Sequence, residues 1–300
     1  MTEEKIKNKK LNVMISTVMF TNLTGSEMYT FELAKKLKEL NCDVTILSNI
    51  GEPMIGIANK LGIKTVSFKN SQSLKNVKFD IIHTQHSTVS EFVCNIFPNT
   101  PKLSVIHSEI IPLENPYIHP TIKKYIAIRP EIKEYIINNF EIPEKDIEVI
   151  YNPVDNEKFK SRPLKVQNAV LFVGTIDYLR RETIMDLIDY TKDNNKELWL
   201  MGEDKQNYLP TILTQPHVKH FKPGWNVEKL INECDETAGI QLGRTTIESW
   251  LCGKSSWIYK VNSYGNIESK EKFDPPTDLE KYHANNVVKQ IKEQYLKILS

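Results

Sequence analysis

The stretch Ile240–Lys254 reads I-Q-L-G-R-T-T-I-E-S-W-L-C-G-K and combines an apolar end, a small-residue turn and two charged side chains of opposite sign. This order is typical of a strand end, a small-residue turn and a helix start. The first N–H groups of a helix lack intrahelical partners and carry the positive end of its dipole, so the turn predicts an anion site. Arg244 adds a permanent cation, and Glu248 adds a carboxylate that can accept hydroxyl protons. An ordinary strand–helix unit with a surface arginine and a solvated glutamate is the alternative interpretation.

Such groups need a fold to position them, and the composition allows two domains. The chain has 300 residues, of which 40% are hydrophobic and 26% charged, as in ordinary globular proteins. A net charge of +1 gives no global field for attracting nucleic acid. The composition therefore gives no strong signal for nucleic acid, although local basic patches remain possible.

The cysteines and the N-terminus favour a reduced cytoplasmic protein. The four cysteines lie far apart, with no C-x-x-C pair and no histidine at metal-ligand spacing. The N-terminal M-T-E-E-K-I-K-N-K-K lacks the apolar core of a signal peptide, and no apolar run approaches transmembrane length. Peripheral membrane contact is possible through the lysine-rich face of a helix at Glu27–Leu40, for which a solvated charged face is the alternative.

Apolar strands alternate with amphipathic helices in two successive series, which predicts two mostly parallel sheets covered by helices. We assign an N-terminal Rossmann-like domain to 11–152, a linker to 153–163 and a second Rossmann-like domain to 164–272. The segment Asn262–Pro276 reads as a loop, and 277–300 as one C-terminal helix.

Several motifs occur in a recognisable order along the chain. T-G-S-E at Thr24–Glu27 follows the first predicted strand, and D-I-I-H at Asp80–His83 and V-I-H at Val105–His107 end two others. Downstream lie Y-I-A-I-R-P-E-I-K-E-Y-I, N-P-V-D-N-E-K-F, F-V-G-T-I-D-Y-L-R-R and L-W-L-M-G-E. In this order the chain resembles the GT-B glycosyltransferases, in particular the retaining glycogen-synthase-like family (glycosyl transferases group 1). The resemblance implies two Rossmann-like domains facing across a cleft, with the nucleotide mostly on the second and the C-terminal helix packing back toward the first.

The resemblance also implies roles for individual residues. Glu248 matches the family's ribose-binding glutamate, and His107 matches a histidine near the transferred sugar that we take as catalytic. The predicted nucleotide and diphosphate site comprises Arg180, Arg181, Gly243, Arg244, Thr245, Thr246 and Glu248. Gly25 and Ser26 would form the first-domain loop facing the donor. Further candidate positions are His83, Gly174, Thr175, Gly202, Gly224 and Ile240.

Two positions depart from the family pattern. Ile240 stands where the family has a glutamate near the sugar, and Thr175 stands where it has an arginine. Isoleucine cannot accept hydroxyl protons or stabilise positive charge on a sugar ring. These departures leave the fold prediction intact but leave the retaining or inverting outcome unassigned.

The leading hypothesis is a hexosyltransferase-like enzyme that moves a sugar from a UDP-, GDP- or ADP-linked donor to a hydroxyl of a glycan, a lipid or another biomolecule. No D-x-D motif is present, so we predict no cofactor and no obligatory metal. A non-catalytic GT-B-like subunit that binds a nucleotide or a partner is the alternative. A nucleotide-sugar epimerase is less favoured, since the sequence shows no second carboxylate pair for it.

Overall fold

The computed structural model describes residues 10–300, which divide into two compact units. The first contains residues 10–153 together with Lys281–Ser300, and the second is Val154–Glu280. The prediction that the N-terminus lacks a signal peptide falls on residues 1–9, outside the described part. Within 10–300 no helix is both long and apolar enough to cross a membrane.

The first unit is built on a seven-stranded parallel sheet in the order β3-β2-β1-β4-β5-β6-β7. Its strands are β1 (Leu11–Phe20), β2 (Cys42–Ile50), β3 (Lys64–Ser67), β4 (Ile81–Gln85), β5 (Lys102–Ile106), β6 (Ile122–Ala127) and β7 (Ile147–Val149). β4 and β5 are buried along their whole length, as expected for strands with both faces covered.

Helices connect these strands and cover the sheet. They are α1 (Gly25–Glu39), α2 (Met54–Lys60), α3 (Ser87–Ile96) and α4 (Pro130–Asn139), with short 3₁₀ turns at Phe68–Leu74, Pro112–Glu114 and Glu144–Asp146. The stripe of Leu33, Ala34 and Leu37 is fully buried and holds α1 in place.

The second unit has a six-stranded sheet in the order β10-β9-β8-β11-β12-β13. Its strands are β8 (Gln167–Val173), β9 (Glu197–Met201), β10 (Val218–Phe221), β11 (Cys234–Ile240), β12 (Ser256–Val261) and β13 (Ile267–Phe273). Its helices are α5 (Tyr178–Asp193), α6 (Leu209–Ile212), α7 (Val227–Glu233) and α8 (Arg244–Leu251).

β13 corrects the prediction of a loop at Asn262–Pro276. It pairs antiparallel with β12 at the edge of the sheet, and almost all of its residues are exposed. The sequence I-E-S-K-E-K-F has no apolar face to indicate a strand, and such charged residues are common on edges that must not pair further.

The predicted linker and C-terminal helix also differ in detail. Val154 and Phe159 are buried, and the Arg162 N–H donates to Asn232 Oδ1 at 2.8 Å, so residues 154–163 pack on the second unit. The C-terminal helix α9 spans Ala284–Ile298 and begins seven residues later than 277, because prolines and a 3₁₀ turn at Glu280–Tyr282 precede it. It packs against α1 within the first unit.

Candidate functional site

Each sheet has one point at which the strand order reverses, between β1 and β4 in the first unit and between β8 and β11 in the second. Helices leave opposite faces of a parallel sheet at such a switch point and open a crevice beyond the carboxyl ends of the strands, where ligands of this architecture bind. The two sets of candidate residues lie at these two places.

The loop after β1 is held by a buried glutamate that the sequence reading did not single out. Glu27 Oε1 accepts from the N–H groups of Thr21 and Asn22 at 2.7 and 2.9 Å, and its Oε2 accepts from the Thr24 hydroxyl at 2.6 Å. Burial alone would raise the pKa of the Glu27 carboxyl, but these donors lower it below its usual value. The loop is therefore fixed before any ligand binds.

Gly25 and Ser26 begin α1 directly after this loop. Gly25 is exposed, and a Cβ added there would meet no atom within 4 Å, so the position is open. The Ser26 carbonyl accepts from the Thr30 hydroxyl at 2.9 Å. These two residues thus form an accessible first turn at the switch point of the first sheet.

His83 lies inside the first unit and offers no free ring nitrogen. Its Nδ1 is 2.8 Å from the Tyr295 hydroxyl of α9, and its Nε2 is 3.4 Å from the Tyr29 hydroxyl of α1. Burial, with a smaller contribution from His107, lowers the pKa of His83 to about 3. The neutral ring supports the site from inside the unit.

His107 directly follows β5 and is only half-buried. Its Nε2 lies 2.9 Å from Gln85 Oε1, and its backbone N–H donates to Glu114 Oε2 at 3.2 Å. The Tyr29 ring packs against the imidazole edge to face, with ring centroids 4.8 Å apart. Burial lowers the pKa of His107 to about 4, although the Glu114 carboxylate opposes the shift.

Other polar groups close to His107 come from the ends of neighbouring strands. His86, directly after β4, places its Nε2 3.2 Å from Glu114 Oε1, and both side chains are buried. His86 has a φ of +65°, a backbone conformation that side chains rarely adopt and that often marks a functional position. Arg129, two residues after β6, forms an ion pair with Glu109.

Sequence reasoning did not place Gln85, Glu114, Arg129 or Glu109 in this site. The available signal was positional, since each follows or ends one of three adjacent parallel strands. Ends of adjacent parallel strands meet at one edge of the sheet.

The second unit brings Gly174, Thr175 and Ile240 to the same edge of its sheet. β8 and β11 pair in parallel with Ala238 opposite Phe172, which places Ile240 level with Gly174 two residues further along each strand. The Ile240 side chain is partly buried at this edge. The register therefore places Ile240 beside the end of β8, where Thr175, the other departure from the family pattern, follows Gly174.

Arg180 and Arg181 point to different surroundings. Arg180 Nη1 donates to Asp177 Oδ2 at 2.6 Å, and a Cβ at Gly174 would lie 3.4 Å from Arg180 Nε, which puts this guanidinium at the end of β8. Arg181 is exposed and stacks over the Tyr208 ring at 5.7 Å. The structure thus places only Arg180 beside the strand end.

The two remaining glycines have different surroundings. A Cβ at Gly202 would fall 1.8 Å from the Gly174 carbonyl oxygen, so only glycine allows the ends of β8 and β9 to approach. Around Gly224 the nearest atoms would be 3.9 Å away. Gly202 is therefore needed for packing, whereas Gly224 leaves space.

At the start of α8, Gly243 is the N-cap, Arg244 the first helical residue, and Thr245 and Thr246 follow. Arg244 Nε donates to Glu248 Oε1 at 2.7 Å, and both side chains are buried. Burial raises the pKa of Glu248, and Arg244 partly offsets this. Thr246 is buried against Gly239 of β11, while Thr245 is partly exposed. Cation, carboxylate and helix N-terminus thus occur together at the start of α8, with the cation and the carboxylate paired to each other.

Among residues 10–300 no three histidine, cysteine, aspartate or glutamate side chains come together as a metal site would require.

Comparison with known proteins gives the following results. Residues 23–158 match the family model of Glycosyltransferase Family 4. Comparison with curated protein sequences gives no match.

Solved structures match over nearly the whole chain. HepE from Anabaena, in complex with UDP-glucose, is 16% identical with a TM-score of 0.69, covering 96% of this chain and 97% of that one. A glycosyltransferase from Rickettsia africae is 16% identical with a TM-score of 0.69 and coverages of 97% and 99%. AviGT4, a glycosyltransferase involved in avilamycin A biosynthesis, is 13% identical with a TM-score of 0.67 and coverages of 96% and 98%. The chain has the GT-B fold, and the predicted fold class is confirmed.

Proposed function

We propose that this protein is a glycosyltransferase that moves a sugar from a nucleoside diphosphate to an acceptor hydroxyl. The observation that carries the proposal is the second switch point, where Arg180 lies beside Gly174 and the Arg244–Glu248 pair begins α8. The match of residues 23–158 to Glycosyltransferase Family 4 supports it. HepE binds UDP-glucose on the same fold, which makes UDP the first nucleotide to test, before GDP and ADP.

The second unit would bind the nucleotide through separate groups for its separate parts. The diphosphate would accept from the Arg180 guanidinium and from the N–H groups at the start of α8, whose dipole favours an anion. Glu248 would accept the ribose hydroxyl protons, and Arg244 would keep the buried carboxylate ionised and oriented. Arg181 has no part in this binding mode because it stacks on Tyr208.

In the transfer step the bond between the sugar C1 and the diphosphate oxygen breaks, and its electron pair leaves with the nucleoside diphosphate. The acceptor oxygen bonds to C1, and its proton would pass to an oxygen of the departing diphosphate. Arg180 and the α8 N-terminus would stabilise the charge that develops on the leaving group, which is the largest electrostatic contribution such a site can make. The proposal uses no metal and assigns no stereochemical outcome.

Isothermal titration with UDP, GDP and ADP tests the nucleotide site, and adjacent arginines provide a matched pair of variants. We expect one nucleotide to bind, Arg180→Ala to weaken binding by about 10- to 100-fold through loss of a charge-assisted hydrogen bond, and Arg181→Ala to change it little. Equal losses in the two variants, or no binding of any nucleotide, would contradict the proposal.

A non-catalytic nucleotide-binding protein is the second candidate, and Ile240 favours it. Its apolar side chain lies level with Gly174, where a carboxylate would assist a reacting sugar. This candidate predicts nucleotide binding without hydrolysis or transfer of any donor. Mass-spectrometric detection of donor turnover in a panel of nucleotide sugars and acceptors would eliminate it.

A hexosyl donor, a cytoplasmic location and peripheral membrane contact remain predictions from the sequence.

A further inference from the structure

We propose that Gln85 and Thr30 are positioning residues that keep the imidazole proton of His107 on Nε2, so that Nδ1 is presented as an unprotonated hydrogen-bond acceptor. Four groups from α1, β4 and the end of β5 form the chain that carries this inference. It starts at a backbone carbonyl, whose role is fixed, and ends at the imidazole.

The first link is the Ser26 carbonyl, which can only accept. Thr30 Oγ1 lies 2.9 Å from it and donates its single hydrogen there. The Thr30 oxygen can then only accept from its other neighbour, Gln85 Nε2, at 2.6 Å. Both side chains are fully buried, so water does not compete for these bonds.

The second link fixes the amide of Gln85 and thereby the proton of His107. With its NH₂ group directed at Thr30, Gln85 turns its Oε1 toward His107 Nε2 at 2.9 Å. A carbonyl oxygen needs a donor at that distance, so His107 Nε2 carries the hydrogen. The reversed amide would take the Thr30 hydrogen away from Ser26 and would direct an NH₂ group at the imidazole.

The remaining ring nitrogen is available. His107 Nδ1 has no hydrogen-bond partner within residues 10–300, and this atom is not fully buried. The groups facing the ring are Tyr29 from α1, His83, Gln85 and His86 from β4 and its end, Glu114 from the 3₁₀ turn and Arg129 after β6. The Glu114 carboxylate is occupied by the His107 backbone N–H and by His86.

A neutral imidazole in this tautomer can accept a hydroxyl hydrogen at Nδ1 but cannot donate from it. The identity of the hydrogen-bond donor rests on the proposed function, in which it is a hydroxyl group of a substrate sugar. His107 Nδ1 would then bind and orient that hydroxyl by accepting its hydrogen. The placement of the proton itself does not depend on the proposed function.

Nitrogen-15 NMR of the full-length protein labelled at histidine tests the proton placement without a substrate. The His107 signals are assigned by their loss in His107→Asn. We expect wild-type His107 near neutral pH to show a protonated Nε2 and an unprotonated Nδ1. The opposite tautomer, or an equal mixture, would overturn the proposal.

Variants test the relay, that is, the hydrogen-bond chain from the Ser26 carbonyl through Thr30 and Gln85 to His107. Thr30→Val keeps the shape but removes the anchor of the amide, so the shifts of both His107 nitrogens should move toward averaged values, and Thr30→Ser should restore the wild-type spectrum. Thr191→Val is the matched control, because Thr191 is a buried helical threonine bonded to the Leu187 carbonyl in the other unit. An unchanged tautomer in folded Thr30→Val would contradict the relay.

A charged replacement gives a second readout that loss of packing would not produce. Gln85→Glu retains an acceptor for Nε2–H and adds a negative charge, so the tautomer should persist while the pKa of His107 rises by at least about one unit. Gln85→Leu should lose the tautomer preference without that rise. If the two variants gave the same titration curve, the assigned role of Gln85 would be wrong. If the NMR results hold and no nucleotide binds, the proposed function fails while the relay stands.

Discussion

The two switch points differ in how their polar groups are held. In the first unit, the uncharged Thr30, Gln85 and His107 bond to one another beside the Glu114 carboxylate and the Arg129–Glu109 ion pair, and the pKa values of His83 and His107 lie far below the usual range. In the second unit, permanent cations dominate, and Arg244 and Glu248 form an ion pair within a single helix. Fixed neutral dipoles suit sugar hydroxyls, whereas cations at a helix N-terminus suit a diphosphate. The first unit thus offers groups suited to hydroxyls, and the second offers groups suited to an anion.

The largest expected effect comes from breaking the ion pair of the second unit. Arg244→Met removes the ion-pair partner of the buried Glu248 carboxylate, which should lower the free energy of unfolding by about 3 kcal/mol near neutral pH. The loss should shrink in acid, because a protonated Glu248 needs no cation. Urea unfolding at a series of pH values measures it.

The double variant Arg244→Met/Glu248→Leu separates stability from binding. An apolar pair can replace a buried ion pair at little cost, so most of the stability should return. Nucleotide affinity should stay low in both variants, since the ribose acceptor is gone or misplaced. Recovery of affinity together with stability would show that the pair is only structural.

The next effect tests the close approach of strand ends that shapes the second site. Gly202→Ala would push a methyl group into the Gly174 carbonyl and should cost about 3 kcal/mol, at the upper end for overpacking, because backbone must move. Gly224→Ala, with its nearest atoms at 3.9 Å, is the control and should be almost neutral. Chemical denaturation measures both, and equal stabilities would contradict the packing role of Gly202.

These two regions also show what a sequence can reveal. Alternating strands and helices predicted two parallel sheets covered by helices, because burial of a parallel sheet leaves continuous apolar runs, and the order of the motifs gave the resemblance to the GT-B fold. Arg180 became a candidate through the family resemblance, whereas Arg244 and Glu248 became candidates because they stand one turn apart at the start of a predicted helix. The pairing of Gln85 with His107 could not be found, because it joins two strands 22 residues apart through an uncharged side chain. β13 was missed because an exposed edge strand carries no apolar pattern.

A smaller effect tests whether His83 and His107 of the first site are uncharged near neutral pH. The pKa values of His83 and His107, about 3 and 4, lie below the ordinary value of 6.5, so the unfolded chain takes up protons before the folded one. Stability should therefore be complete above pH 6.5 and should be lost as the pH falls toward about 4, on the order of 2 kcal/mol for each group. Unfolding of wild type and His107→Gln across this range measures the effect, and we expect a shallower slope in the variant. Parallel curves would contradict the lowered pKa of His107.

The smallest effect tests whether the loop of the first site and the hydrogen-bond relay to His107 are independent. Glu27 has a lowered pKa, so the unfolded chain is protonated first, and the stabilisation is present above the ordinary value of 4.5 and lost as the pH falls through the folded value. Glu27→Gln should thus cost about 1 kcal/mol near neutral pH and nothing in strong acid, because an amide oxygen is a weaker acceptor for the Thr21 and Asn22 N–H groups. Denaturation at the two pH values measures this, with Glu91→Gln, exposed on α3, as control.

The same Glu27→Gln variant should leave the tautomer of His107 unchanged. Thr30 is bonded to Ser26 within α1, and neither of these bonds involves Glu27. A variant that loses stability but keeps the proton on Nε2 would show that the relay depends on the helix and the strand, and not on the loop that precedes them. A shift of the tautomer in Glu27→Gln would instead make loop and relay a single cooperative unit, and the first site would then respond as a whole to any ligand that orders or displaces residues 21–24.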